Sequence, residues 1–199
     1  MEYLLSLMLF TFIASVTPGP NNIMLFASGI NHGIKKSLPH YFGICIGFLL
    51  LVASVGFGLG ALFKQSPFLH QVLKIVGSLY LVYFAWKIGS ANSASSNNEK
   101  RNPITFFEAA LFQWVNPKAW VIAIGAIATF TIQSSVVKSI ATIIVMYFFM
   151  GLLAMGIWLT LGAGLQRLLN NGKRRRIFNI CMAILLLLSI VPIISVPIH

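Results

Sequence analysis

Along its length the chain alternates long apolar runs with short polar breaks. Six runs occupy residues 3–31, 38–63, 68–89, 104–130, 137–168 and 177–197. Each is roughly 20 residues or more, the length a helix needs to cross a hydrocarbon core of about 30 Å. The N-terminal run, MEYLLSLMLFTFIASV, carries Glu2 as its only early charge. It lacks the positive start and small-residue cleavage site of a secretory signal, so it reads as a retained span. The one long polar connection is SANSASSNNEKRNP at 90–103. The pattern predicts an all-α integral membrane protein with a single domain over 1–199. Residues 3–89 form a first set of three spans, 90–103 a connecting loop, and 104–197 a second set of three.

Two runs are interrupted. In the first, TPGPNN at 17–22 places Pro18, Gly19, Pro20, Asn21 and Asn22 where a helix should continue. Proline removes an amide proton and its ring clashes with the preceding turn. In the fourth, FQWVNPKAW at 112–120 brings Gln113, Asn116, Pro117 and Lys118 to a similar depth. Lipid cannot satisfy the freed backbone groups, which survive only against protein or a water-filled cavity. Superposing Pro20 on Pro117 lays Asn21 on Lys118 and Gly19 on Asn116. Gly47, Gly58 and Gly60 also share their mutual spacing with Gly151, Gly162 and Gly164. An odd number of spans per half requires the second half to insert upside down. The expected fold is therefore six transmembrane helices as two inverted three-helix repeats, with the first and fourth helices broken at midplane prolines. Interrupted helices at matching positions of inverted repeats point to a transport site. A half-helix starting after Pro20 aims free amides and a positive dipole end inward, which suits an anionic group.

Composition sharpens this picture. The chain has 199 residues, 58% hydrophobic and 9% charged, and its mean hydropathy is +0.88. A soluble domain carries roughly 25% charged residues. The net charge of +11 is unevenly spread. Lys35, Lys36, Lys87, Lys100, Arg101, Arg167 and the run KRRR at 173–176 fall on one side, against Lys64, Lys74 and Lys138 on the other. Positive charge marks the cytoplasmic side, so both termini are expected on the outer, periplasmic side. The excess reads as topological, with anionic-lipid contact at 173–176; a lipid-regulated switch is the alternative. No nucleic-acid partner is expected. Cys45 and Cys181 lie in apolar runs and read as small buried hydrophobes.

Lys118 is the most informative candidate. A lysine near a span centre costs about 2.5–3.5 kcal/mol on insertion scales, so it needs a cavity or a partner. The alternative is snorkelling to an interface. The chain has no aspartate and three acidic residues in all, Glu2, Glu99 and Glu108. Glu108 alone lies within a span, toward the cytoplasmic mouth. It either binds an ammonium or carries a proton, or it is an interfacial residue paired with Lys100 or Arg101. Asn21, Asn22, Gln113 and Asn116 donate and accept at once. With Lys118 and open backbone they make a small zwitterion trap, to which Ser15, Thr17 and Ser28 add hydroxyls. His32 and His40 flank the first cytoplasmic connection as interfacial residues, with a proton relay through His40 as the alternative. Tyr80, Tyr83, Trp86, Trp114 and Trp120 read as packing or belt residues, Trp114 and Trp120 with a pocket-lining alternative. No cluster of metal ligands, Walker loop or HExxH motif is present, so neither metal nor cofactor is expected. Transport energy would come from a gradient.

TPGPNN at 17–22, NHG at 31–33 and NPKAW at 116–120 together resemble the LysE/RhtB family of bacterial inner-membrane exporters of amino acids. The similarity runs over nearly the whole chain. It implies efflux of small amino acids driven by the proton motive force, and PGPNN with a following HG is most similar to the branch exporting cysteine and O-acetylserine. One departure stands out. Many members place an aspartate after a glycine of the second span, where GICIGFLLL has Phe48. Any proton coupling done by that aspartate would pass elsewhere, to Glu108 for example. The shortage of carboxylates argues against a dibasic substrate. The expected activity is secondary export of small neutral amino acids or derivatives, cysteine/O-acetylserine-like or homoserine/threonine-like, across the inner membrane. The partners would be a zwitterionic amino acid, a proton gradient and membrane lipids. Its rivals are an exporter of another small solute, such as a purine or metal ion, and a non-transporting membrane scaffold. Small-residue faces at Gly43/Gly47 and Gly56/Gly60 permit close helix contact within or between chains, which leaves a homodimer open.

Overall fold

A computed structural model describes residues 1–91, 102–166, 168–169 and 171–195. Most of the 90–103 connection, with Glu99, Lys100 and Arg101, lies outside the described residues, as do Arg167 and the end of the sixth run. Among the described residues there are helices and turns and no strand. The helices are α1 (Glu2–Val16), α2 (Pro20–Ser54), α3 (Gly60–Gln65), α4 (Pro67–Gly89), α5 (Phe106–Val115), α6 (Pro117–Phe130), α7 (Val136–Leu165), α8 (Gly172–Leu188) and α9 (Val191–Ser195).

Among the described residues, four stretches are long and apolar enough to cross a membrane: Pro20–Leu59, Phe68–Gly89, Gln133–Leu165 and Gly172–Ser195. Three apolar helices are shorter, α1 with 15 residues, α5 with 10 and α6 with 14. They are short because the chain leaves the helix at Thr17–Gly19 and at Asn116, just ahead of Pro20 and Pro117. Leu5, Leu9, Ile13, Leu79, Phe149 and Leu188 stand exposed on the outside of the bundle. An apolar exterior is what a lipid solvent selects.

A long helix hides a reversal. Gly33 in α2 has φ 72 and ψ 176, a left-handed region that favours glycine. Before it the chain runs parallel to α7: Phe26 meets Trp158 edge-on, with ring centres 5.8 Å apart. Farther along, a Cβ on Gly33 would lie 3.4 Å from the Gln166 Oε1. After it the chain runs antiparallel to α7. Tyr41 donates to the Leu152 carbonyl at 2.9 Å, and Phe48 meets Tyr147 edge-on with centres 5.0 Å apart. The connection expected around 32–37 is therefore a single-residue corner, without a loop. His40, expected at an interface, is fully buried just past that corner. The reason is that Gly43, one turn on, seats this arm directly against the start of α5 at Phe106 and Ala109.

Other expectations shift as well. The basic run 173–176 belongs to the first turns of α8, where the Asn171 side chain accepts from the Lys173 N–H at 2.9 Å. An asparagine cap supplies the partner that opens a helix here, ahead of the apolar run. Gly43 and Gly47 meet α5 within the same chain.

Helices approach closely where one presents glycine. At the crossing of α2 and α7, a Cβ on Gly29 would sit 2.6 Å from the Leu159 carbonyl oxygen and 2.9 Å from the Ala163 nitrogen. Gly162 returns the contact against Phe26 backbone. Two apolar clusters fill the interior. One gathers Met24, Ile44, Phe84, Phe112, Met155 and Leu186. The other gathers Leu51, Val52, Ala119, Trp120, Ile143 and Tyr147. Gly29→Ala should cost about 1–3 kcal/mol through overpacking. The measurement is the thermal midpoint in detergent, which should fall for Gly29→Ala and hold for Gly164→Ala, where an added Cβ meets nothing within 4 Å. Equal midpoints would mean the crossing has slack.

Candidate functional site

The site grows from the need to satisfy backbone that leaves a helix. α1 ends at Val16, and its last carbonyls find side-chain donors from three other places. Asn22 Nδ2 donates to the Ser15 carbonyl at 2.9 Å. Trp158 Nε1 on α7 donates to the Val16 carbonyl at 3.0 Å. Lys118 Nζ donates to the Thr17 carbonyl at 2.5 Å and to the Pro18 carbonyl at 3.2 Å. The lysine therefore neither points at lipid nor snorkels. Its ammonium caps the broken end of α1, and its stem runs so near Gly19 that a Cβ there would lie 2.8 Å from Lys118 Cδ.

The second break is closed differently. Asn116 is 2% exposed, and its side chain caps α6 by accepting from the Lys118 N–H at 3.1 Å. The Ala119 and Trp120 amides reach the Asn116 carbonyl at 3.0 and 3.3 Å. α2 has no such cap: its N-cap is Gly19, and no side chain accepts from its first turn. Ile23 bonds back to the Gly19 carbonyl at 3.0 Å. The Asn21 and Asn22 amides, in the turn before, have no intrahelical acceptor. These are the open donors of the site.

A reciprocal amide pair joins the two breaks. Asn21 Nδ2 donates to Gln113 Oε1 at 2.8 Å, and Gln113 Nε2 donates to Asn21 Oδ1 at 3.0 Å. Gln113 Nε2 also reaches the Ala109 carbonyl at 2.9 Å, so the buried amide is held from two sides.

Between the two apolar clusters lies a cavity of about 520 Å³, part of it open to the outside. Ser15, Asn21, Asn22, Asn116 and Lys118 supply its polar wall, and Ile44, Phe48, Ile122 and Met155 its apolar wall. Of the residues expected at the site, Asn21, Asn22, Asn116 and Lys118 line this space. Pro18, Gly19, Pro20, Gln113 and Pro117 stand behind it: the prolines and Gly19 shape the breaks, and Gln113 holds Asn21. Tyr147, Cys45 and Phe48 also line it. Phe48 thus occupies a wall position, where a carboxylate would have faced the same space. The sequence marks Tyr147 only as the one tyrosine of the fifth run.

Glu108 sits elsewhere. It forms a capping box with Thr105, accepting from the Thr105 N–H at 2.7 Å while Thr105 Oγ1 accepts from the Glu108 N–H at 3.2 Å. Its other oxygen takes Lys87 at 2.7 Å and the Tyr83 hydroxyl at 2.9 Å. Lys87 thus fills the partner role considered for Lys100 or Arg101, which lie outside the described residues. His40, which the Lys87 and Glu108 charges reach, has no hydrogen-bond partner on either ring nitrogen among the described residues. A second cavity of about 340 Å³ opens beside Ser28, Asn31, His32 and Lys87, at the far end of residues 20–32. Asn31 is itself tied to Asn179 of α8 by a reciprocal amide pair at 2.8 and 3.2 Å. The aromatic residues divide between roles. Tyr80 stacks on Phe112 with ring centres 5.7 Å apart, and Trp120 donates to the Trp114 carbonyl at 2.9 Å. Neither tryptophan lines the cavity.

The family model described as LysE type translocator matches residues 12–191, both breaks included. The cysteine/O-acetylserine efflux protein of Escherichia coli O139:H28 is 30% identical over 182 residues, covering 89% of this chain and 90% of that protein. Proteins of the same name from Escherichia coli K12 and Shigella flexneri serotype 5b are 30% identical over 181 residues, with the same coverage. No solved structure matches the chain. Matches that run from the first helix to the last, across apolar helices that enclose a polar cavity, describe a membrane transporter rather than an enzyme, and the chain belongs to the LysE type translocator family.

Proposed function

We propose that this protein is a proton-driven exporter of small neutral amino acids, cysteine/O-acetylserine-like in substrate, in a bacterial inner membrane. Its six spans form two inverted repeats, both termini face the periplasm, and substrate binds between the two breaks. One observation carries the reading. Asn21, just after the first break, pairs with Gln113, just before the second. Lys118, just after the second break, pairs with Thr17 and Pro18 in the first. With Pro20 laid on Pro117, Asn21 falls on Lys118 and Gln113 on Val16, the residue before Thr17, so the second contact approximates the first, as expected of inverted halves. The names of the relatives support the substrate class.

The substrate carboxylate meets the open Asn21 and Asn22 amides, helped by the positive end of the 20–32 helix. Lys118 lies beside it and can turn from the Thr17 and Pro18 carbonyls to the carboxylate, a stronger acceptor because it is charged. The substrate ammonium meets the side-chain oxygens of Ser15 and Asn22 on the same wall. Loading thereby loosens the tie between the halves, and their rocking moves the cavity from one side to the other. The second cavity, near Lys87 and His32, is the cytoplasmic approach. Proton coupling runs through Glu108 and His40: a proton on Glu108 dissolves its ion pair with Lys87, which joins α4 to α5.

Lys118→Met should reduce counterflow of labelled amino acids in proteoliposomes to background while the protein still inserts. Wild-type rates in that variant would remove Lys118 from the substrate site. Glu108→Gln keeps a capping-box residue at the start of α5 and removes the charge. Its counterflow should persist, while an imposed pH gradient should no longer drive accumulation; intact accumulation would place the coupling elsewhere. A reporter fused after His199 should be active only on the periplasmic side, and a cytoplasmic signal would invert the proposed topology.

A further inference from the structure

The cavity contains a hydroxyl that export of a generic amino acid leaves without a task. Tyr147 on α7 is 2% exposed and lines the cavity. Its hydroxyl is buried and has no hydrogen-bond partner among the described residues. Native interiors rarely leave such a group unpaired, because its lost hydration goes uncompensated. The ring is held edge-on by Phe48, with planes 82° apart, so the phenol cannot swing freely to find a partner elsewhere. Space lies next to it. Gly151, one turn along the same face of α7, also lines the cavity, and a Cβ there would meet nothing within 4 Å. Ile44, Cys45, Ile122 and Met155 complete an apolar wall, and among the described residues Lys118 is the only charged one lining the cavity.

We propose that Tyr147, Phe48 and the space over Gly151 form a side-chain subsite. It selects amino acids whose side chain is short, uncharged and carries one hydrogen-bonding group, such as an ester carbonyl or a thiol. The inference rests on the exporter reading, which places the carboxylate where α2 begins. The phenol then donates to the acceptor of the side chain, and Phe48 and Met155 cover its methylene or methyl groups. A cationic side chain finds no carboxylate in this wall, and an anionic one must shed its water beside rings and aliphatic groups. An aliphatic side chain fits but leaves the hydroxyl unpaired, so it binds less well than a polar side chain of similar size.

The test is counterflow in proteoliposomes with O-acetyl-L-serine and L-2-aminobutyrate. The wild type should prefer O-acetylserine, and Tyr147→Phe should lower that preference about tenfold, equal to ~1.4 kcal/mol. An unchanged preference would mean that the hydroxyl is served by water alone and would overturn the inference. Gly151→Leu grows a side chain into the space where a Cβ meets nothing within 4 Å, and leucine favours the helix. It should cut O-acetylserine transport at least tenfold more than alanine transport, and an equal loss of both would also overturn the subsite. Wild-type vesicles that move none of the three amino acids would instead end the exporter reading itself.

Discussion

The structure turns on an electrostatic tie between one ammonium and two carbonyls. Breaking α1 frees its last C=O groups, and where lipid rather than water surrounds such a group, leaving it unsatisfied costs several kcal/mol. Lys118 meets the Thr17 and Pro18 carbonyls, and Asn22 and Trp158 meet those of Ser15 and Val16. A lysine that would itself be costly in this setting is stabilised by backbone that would otherwise be costly too. The two liabilities cancel only when the breaks stand side by side. That mutual dependence ties the fourth run to the first.

The two breaks are unequal, and the inequality gives the cavity its polarity. At the second, Asn116 caps α6, so that helix start is closed. At the first, Gly19 offers no side chain, so the start of α2 is left with donors and no acceptor. Had both been capped, the cavity would hold side-chain amides and little net field. With one open, it has a donor end at Asn21 and Asn22 and an apolar end at Phe48 and Met155. Such a gradient across one small space orients a dipolar molecule.

Much of this was legible in the residues. Pro18, Pro20 and Pro117 marked both breaks because a missing amide proton acts locally, whatever surrounds it. Asn21, Asn22, Asn116 and Lys118 were legible as cavity residues because polar groups in an apolar run have few other places to go. What depended on neighbours was not. Lys118 is occupied by carbonyls, which no spacing along the chain reveals. Glu108 pairs with Lys87, and Lys87 comes from a different helix. His40 is buried because α5 covers it, although its sequence neighbourhood reads as an interface. Tyr147 looked like any aromatic in an apolar run; only packing against Phe48 shows that its hydroxyl has been left over.

The corner at Gly33 has a mechanical consequence. The helix that opens at the cavity and the helix that lines its far wall are joined by one residue with no intervening loop. A loop would let the arms separate as well as turn; here their mutual angle can change only through one pair of torsions. The 20–32 and 34–54 arms are like two blades on one rivet, and the chain between Asn22 and Phe48 is a hinge of two rods rather than a tether.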